Sequence, residues 1–218
     1  MEENLSYIKN RKGEIKSAFI RTDEPSFSKM KQLSKELGHI IYSVPKETEV
    51  EFNKDGWLIK AIGKQKGIWQ FVSGWGMPYE CFVNGFPFPV KMNEMWKSDR
   101  EVEEVDIGEL KWNLKFPWWN TEEDIPYNLK PEEVISDINK YFYHKEKIDN
   151  CDIKYPLLLI QTKQNRWLIY DGVHRFVRQM IIGENKVSCQ KFSLEEMEEF
   201  IPESHKELFQ EWLNLEYK

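Results

Sequence analysis

With 218 residues, 40% of them apolar and 14% aromatic, the chain can build a true hydrophobic core, which excludes an intrinsically disordered segment. Its net charge of −6 is uneven, +3 over residues 1–100, −3 over 101–192 and −6 over 193–218. A protein that depends on duplex phosphates for affinity is therefore not favoured, although a nucleic-acid contact in the first hundred residues stays open. No run approaches the length of a membrane span and the start is too charged for a signal peptide, so no membrane partner and a cytoplasmic location are expected.

In chain order, "PSFSKMKQLSKELG" sets Phe27, Met30, Leu33 and Leu37 at helical spacing and ends on Gly38, a natural helix stop. "HIIYSV", "GWLIKAIG" and "GIWQFVSGW" read as strands. "YECFVNGFPFPV" reads as two more, joined by a hairpin at Asn84-Gly85, with Pro87 and Pro89 confining the second to a sheet edge. Clustered aromatics such as Trp57, Trp69 and Trp75 are expected in a core rather than in a ligand cage. The cysteines, Cys81, Cys151 and Cys189, are odd in number and lack a C-x-x-C pair, so buried thiols are expected rather than a disulfide or zinc site.

The acidic "SDREVEEVDIGEL" marks a boundary near residue 100, dividing a β-rich region (1–100), a central domain (101–192) and acidic C-terminal helices (193–218). "EVDIGELKWNL" suggests an edge strand, and "FPWWNTEEDIPYNL" a loop. Pro131 opens a helix with Val134, Ile135, Ile138, Tyr141 and Phe142 on one face. "YPLLLIQT" has the continuous apolar character of a strand buried on both faces, and Asn165 turns the chain into "RWLIY". A helix from Val173 to Gly183 follows, with Val173, Phe176, Val177, Met180 and Ile181 facing the core, and "KVSCQKF" resumes as a strand. Ser193 and Glu196 form a capping-box pattern, and a last helix carries Leu208, Phe209, Trp212 and Leu215. The fold class is α+β, a small mixed sheet with helices, preceded by the β-rich region and followed by the C-terminal helices.

The turn "YDGVHR" has a composition that packing alone does not require. The free N–H groups at a helix start and the positive end of its dipole favour an anion. Gly172 and Val173 bring backbone to that point, Gly172 without a Cβ, and Arg175 can grip phosphate oxygens. His174 and Arg178, four apart, share another face of the helix. Asp171 is a good N-cap by itself, but beside an anion it suits binding of a phosphate-held Mg²⁺ or removal of a hydroxyl proton. Together the residues fit a nucleotide phosphate tail.

Residues 156–192, "PLLLIQTKQNRWLIYDGVHRFVRQMIIGENKVSCQKF", also resemble the core of the ParB/sulfiredoxin superfamily, a likeness that extends back toward "EVDIGELKW". The resemblance implies a ParB/sulfiredoxin-like fold over 101–192, with triphosphate oxygens at Gly172, Val173, His174 and Arg175. Val173 stands where sulfiredoxins carry a reactive cysteine and the chromosome-partition branch an acid, which disfavours both activities. The D-G-x-H-R order is that of the free serine kinase branch. It implies a kinase using ATP or another NTP with Mg²⁺ on a small hydroxyl-bearing substrate, with Asp171 and His174 catalytic. That branch also uses a glutamate after the first strand, for which Glu122 and Glu123, beside Asp124, are candidates. The alternative is a ParB-like regulatory or nucleic-acid-binding module, or a nuclease, without kinase activity.

Overall fold

The computed structural model describes residues 5–72, 75–121 and 127–216, apart from the side chain of Trp75. Its elements begin with β1 (Leu5–Lys9), β2 (Ile15–Arg21), α1 (Phe27–Leu37), β3 (Ile40–Val44), β4 (Glu49–Phe52), β5 (Leu58–Ile62), β6 (Trp69–Val72), β7 (Trp75–Pro78) and α2 (Tyr79–Asn84). There follow α3 (Met92–Lys97), β8 (Glu103–Asp106), α4 (Ile107–Leu110), a 3-10 turn (Lys111–Lys115), α5 (Pro131–Ser136) and α6 (Phe142–Asn150). The chain continues through β9 (Leu157–Gln161), β10 (Trp167–Asp171), α7 (Val173–Ile181), β11 (Lys186–Phe192), α8 (Met197–Phe200) and α9 (Lys206–Leu213). The protein is thus mixed α+β with several small sheets, and among the described residues no helix is long and apolar enough to cross a membrane.

The chain forms two compact units. One comprises Met1–Val83, Pro87–Pro89 and Glu203–Lys218, and the other Asn84–Phe86 and Val90–Pro202. In the first, the described strands form a sheet in the order β1-β2-β3-β6-β7, with β2 and β3 parallel across α1, and β4 and β5 form a separate pair. Helix α1 ends as expected, on Gly38 in the left-handed conformation, and sets Phe27 edge-on against Trp69 at 4.5 Å. Trp57 and Trp69 are core residues, and Phe88 packs against Phe209 and Trp212 of α9.

Several local expectations are corrected. "YECFVN" is helix α2 rather than a strand, and "GFPFPV" after it forms no strand. Tyr79 and Phe82 meet edge to face one helical turn apart, Cys81 and Phe82 are buried, and Asn84-Gly85 ends a helix instead of turning a hairpin. Strands β1, β2 and β4 and helices α3 and α6 have no counterpart in the sequence reading. The helix after Pro131 breaks at Asp137, where the backbone leaves the helical region, and Ser136, Asp137 and Asn139 are residues that compete with helix through local bonds. Phe142 consequently starts α6 and is exposed, as is Ile181 of α7. Strand β8 ends at Asp106, and α4 and the 3-10 turn replace the rest of the expected edge strand. Cys81 and Cys189 are buried, whereas Cys151 is only partly buried.

The second unit is built around β9. Leu157, Leu158, Leu159 and Ile160 are all fully buried, between antiparallel β10 and parallel β11, with β8 at the far edge of the order β10-β9-β11-β8. One face carries Leu157, Leu159 and Ile169 into a core with Val134, Ile148, Phe176 and Val177 from the surrounding helices. Capping by Ser193 and Glu196 is reciprocal, the Ser193 N–H donating to Glu196 Oε2 at 2.7 Å and the Glu196 N–H to Ser193 Oγ at 3.4 Å.

Near the turn, β10 has two local devices. Tyr170 is an extra residue in the register, because Ile169 pairs with Leu159 while Asp171 pairs with Leu158. This bulge takes Asp171 off the core face that regular alternation from Ile169 would give it. On the edge of β10 away from β9, the buried Asn113 mimics a strand. Its Nδ2 donates to the Trp167 carbonyl at 3.1 Å and to Leu110 O at 3.0 Å, and its Oδ1 accepts from the Ile169 N–H at 2.8 Å. Asn113→Ala would leave these backbone groups unpaired and should lower the unfolding free energy by about 2–4 kcal/mol, measured by urea denaturation.

Candidate functional site

The strand-to-helix turn gathers Asp171, Gly172, Val173, His174 and Arg175 as their spacing suggests. Gly172 adopts φ +99°, a conformation that strains any residue with a Cβ, and precedes the first turn of α7. The first helical bond runs from the Phe176 N–H to the Gly172 carbonyl, so the N–H groups of Val173, His174 and Arg175 have no acceptor within the helix. Asp171 does not cap them. Its Oδ2 instead accepts from Arg175 Nη2 at 2.9 Å.

Arg175 is the lid of the turn. The same Nη2 reaches the Pro156 carbonyl at 3.2 Å, and the guanidinium lies 5.3 Å from the Trp96 ring centroid. A Cβ at position 172 would stand 2.7 Å from Leu157 Cδ2 and 2.8 Å from Arg175 Nη2. The space freed by the glycine is therefore filled by the protein's own leucine and arginine. Arg175 Nε is buried without a partner in the structure, leaving one donor of this cation unmatched.

On the other side of the turn, His174 belongs to a stack of three flat rings. Trp119 lies 4.4 Å from His174 and 4.6 Å from His144, nearly parallel to both. His174 Nε2 and His144 Nδ1 are 3.1 Å apart, and His144 Nε2 is 2.8 Å from the Asn120 carbonyl. His144 is buried. His174 is held neutral, its pKa lowered to about 3, first by burial and then by His144, Lys147 and Arg175.

Arg178 is not drawn onto the turn by any described contact. Its Nη1 donates to the carbonyl of Cys151, the residue that ends α6, a helix terminus that favours a cation. Glu122, Glu123 and Asp124 lie outside the described residues. Sequence reasoning missed His144, Trp119, Asn120 and Trp96, none of which has a motif or spacing relation to the turn.

The chain matches no protein-family model, no curated protein and no solved structure. The chemistry of the site therefore has to be read from its own groups. They comprise a short row of unpaired N–H donors, a carboxylate with one oxygen tied to Arg175, a partly covered guanidinium and a neutral imidazole.

Two measurements probe this arrangement. Gly172→Ala should cost about 1–3 kcal/mol of stability from backbone strain, and more if Leu157 and Arg175 cannot yield, as read by thermal or urea unfolding. For His174 the folded state resists protonation while the unfolded ring titrates near 6.5, so stability present above that value is lost as pH falls toward 3. Between pH 7 and pH 5 the wild type should lose about 1–2 kcal/mol more than His174→Gln; equal losses in parallel urea titrations would remove this account.

Proposed function

We propose that the protein is a nucleotide-dependent phosphotransferase of the ParB/sulfiredoxin-like kind that acts on a hydroxyl group. The observation that carries this reading is the Gly172 turn, where unpaired helix N–H groups, Arg175 and the outward-turned Asp171 converge. A triphosphate tail suits the N–H groups of Val173, His174 and Arg175, with Arg175 adding a delocalised charge. The order of β8, β9, β10, the turn, α7 and β11 supports the likeness to that superfamily.

Asp171 fits a nucleotide-carried Mg²⁺ as one ligand. Its side chain is 37% exposed, Arg175 engages Oδ2, and a magnesium ion that keeps waters and phosphate oxygens needs only one or two carboxylates. Asp171 would hold it, and the ion would neutralise charge on the phosphates. In the transfer, the acceptor hydroxyl oxygen bonds to the γ-phosphorus, the bond to the β,γ-bridging oxygen breaks, and the diphosphate leaves. As the alternative to holding the ion, Asp171 is the carboxylate at the turn suited to receive the hydroxyl proton. Such a reaction depends mainly on positioning and charge neutralisation, which this turn is suited to supply.

The direct test is thermal shift with ATP, CTP and GTP, each with and without Mg²⁺, followed by nucleotide consumption in the presence of candidate hydroxyl compounds. At a hundredfold excess over its dissociation constant, a nucleotide should stabilise the fold by about 2.7 kcal/mol, roughly 5–10 °C for a chain of this size. Asp171→Asn should keep the fold, losing at most about 1 kcal/mol with the half-open ion pair, and abolish turnover. Unchanged consumption in that variant sinks the catalytic assignment, and binding without product would favour a regulatory nucleotide-binding module.

A further inference from the structure

The three-ring stack determines which kind of partner His174 can take. A neutral imidazole carries one N–H, and a carbonyl oxygen only accepts. The Asn120 carbonyl, 2.8 Å from His144 Nε2, therefore claims the proton of a neutral His144 at that nitrogen. His144 Nδ1 is then a lone pair, and the hydrogen bond of 3.1 Å across the pair is donated by His174 Nε2. With its own single proton placed there, His174 has a bare Nδ1. That atom has no hydrogen bond among the described residues, which leaves its lone pair to a ligand.

We infer that His144 is a positioning residue that locks His174 as the Nε2–H tautomer, so that His174 presents a hydrogen-bond acceptor at the start of α7 and receives a donor such as a hydroxyl, not a phosphate oxygen. Trp119 supports the lock by holding the His174 and His144 rings nearly parallel to its own, at 13° and 16°. The two halves of the turn thereby divide. The N–H groups and Arg175 suit an anion, whereas Nδ1 of His174 suits a hydroxyl of the acceptor other than the one that reacts. This last assignment rests on the phosphotransferase reading; the tautomer does not.

The test is ¹⁵N NMR of the histidine rings in the full-length protein near pH 7.5. In the free wild type, His174 should show a protonated Nε2 and an unprotonated Nδ1. A protonated Nδ1 would overturn the proposal. His144→Phe keeps a ring against Trp119 but removes the acceptor, and should release His174 into a mixture of tautomers. His144→Asn, whose Oδ1 can stand where Nδ1 stood, should restore the wild-type pattern. A pure Nε2–H form persisting in the Phe variant would show that His144 does not set it, and if that variant fails to fold the wild-type spectrum still decides the tautomer.

Adding ATP with Mg²⁺ should leave His174 Nδ1 unprotonated while backbone amides at 173–175 shift. Protonation of Nδ1 on ATP addition would place phosphate on His174 and refute the division. No amide shift at all would count against the nucleotide reading and the hydroxyl assignment together, with the tautomer already decided by the free protein.

Discussion

Burial of β9 on both faces is the constraint from which the site follows. Each of its four fully buried aliphatic side chains gains about 2 kcal/mol on leaving water, and that gain requires cover above, below and on both edges. The edges are supplied by β10, which returns through a tight turn, and by β11, which must run parallel to β9. A parallel partner cannot follow a hairpin directly, so the chain crosses back through α7. The point where β10 becomes α7 is thus dictated by the core, and with it the row of helix N–H groups that has no acceptor in the helix.

Given that point, the polar residues around it are not interchangeable with ordinary capping. Asp171 is carried off the core face by the bulge at Tyr170, and it pairs with Arg175 instead of satisfying the helix start. Arg175 in turn is pinned by a backbone carbonyl and by the glycine-sized gap beneath it. Asn113, by occupying the open edge of β10, holds the strand that delivers these groups. The turn is therefore preorganised by contacts that a helix start would not need for its own stability.

What could be read from the sequence follows from which physical signals are local. The continuous apolar run at 157–160, the stripe of Phe176 and Val177, and the left-handed positions at Gly38, Asn165 and Gly183 all act within a few residues, and each stands as expected. The Asn84-Gly85 pair was ambiguous because the same residues stop helices and make hairpins, and only the burial of Cys81 and Phe82 decides between them. Helix α6 was hidden because its buried residues, His144 and Ile148, are flanked by an exposed Phe142 and Tyr143, which blur any apolar stripe. The acid, glycine, histidine and arginine of the turn were legible as a group. The ring that fixes His174 was not, since His144 lies thirty residues away and meets it only through the fold.

Val173 shows how closely the chemistry is divided among neighbours. Its side chain is partly buried against the same core as Phe176 and Val177, so what it offers the turn is its N–H alone. Its apolar side chain could serve neither as a nucleophile nor as an acid. Side-chain chemistry is left to positions on either side of it, a carboxylate before and an imidazole and guanidinium after. The guanidinium is tied to the carboxylate while the imidazole is tied to a second histidine, so the turn carries charge on one flank and a neutral ring on the other. A ligand that satisfies both flanks must itself be asymmetric, anionic where it meets the N–H row and Arg175, and a hydrogen-bonding neutral group where it meets His174.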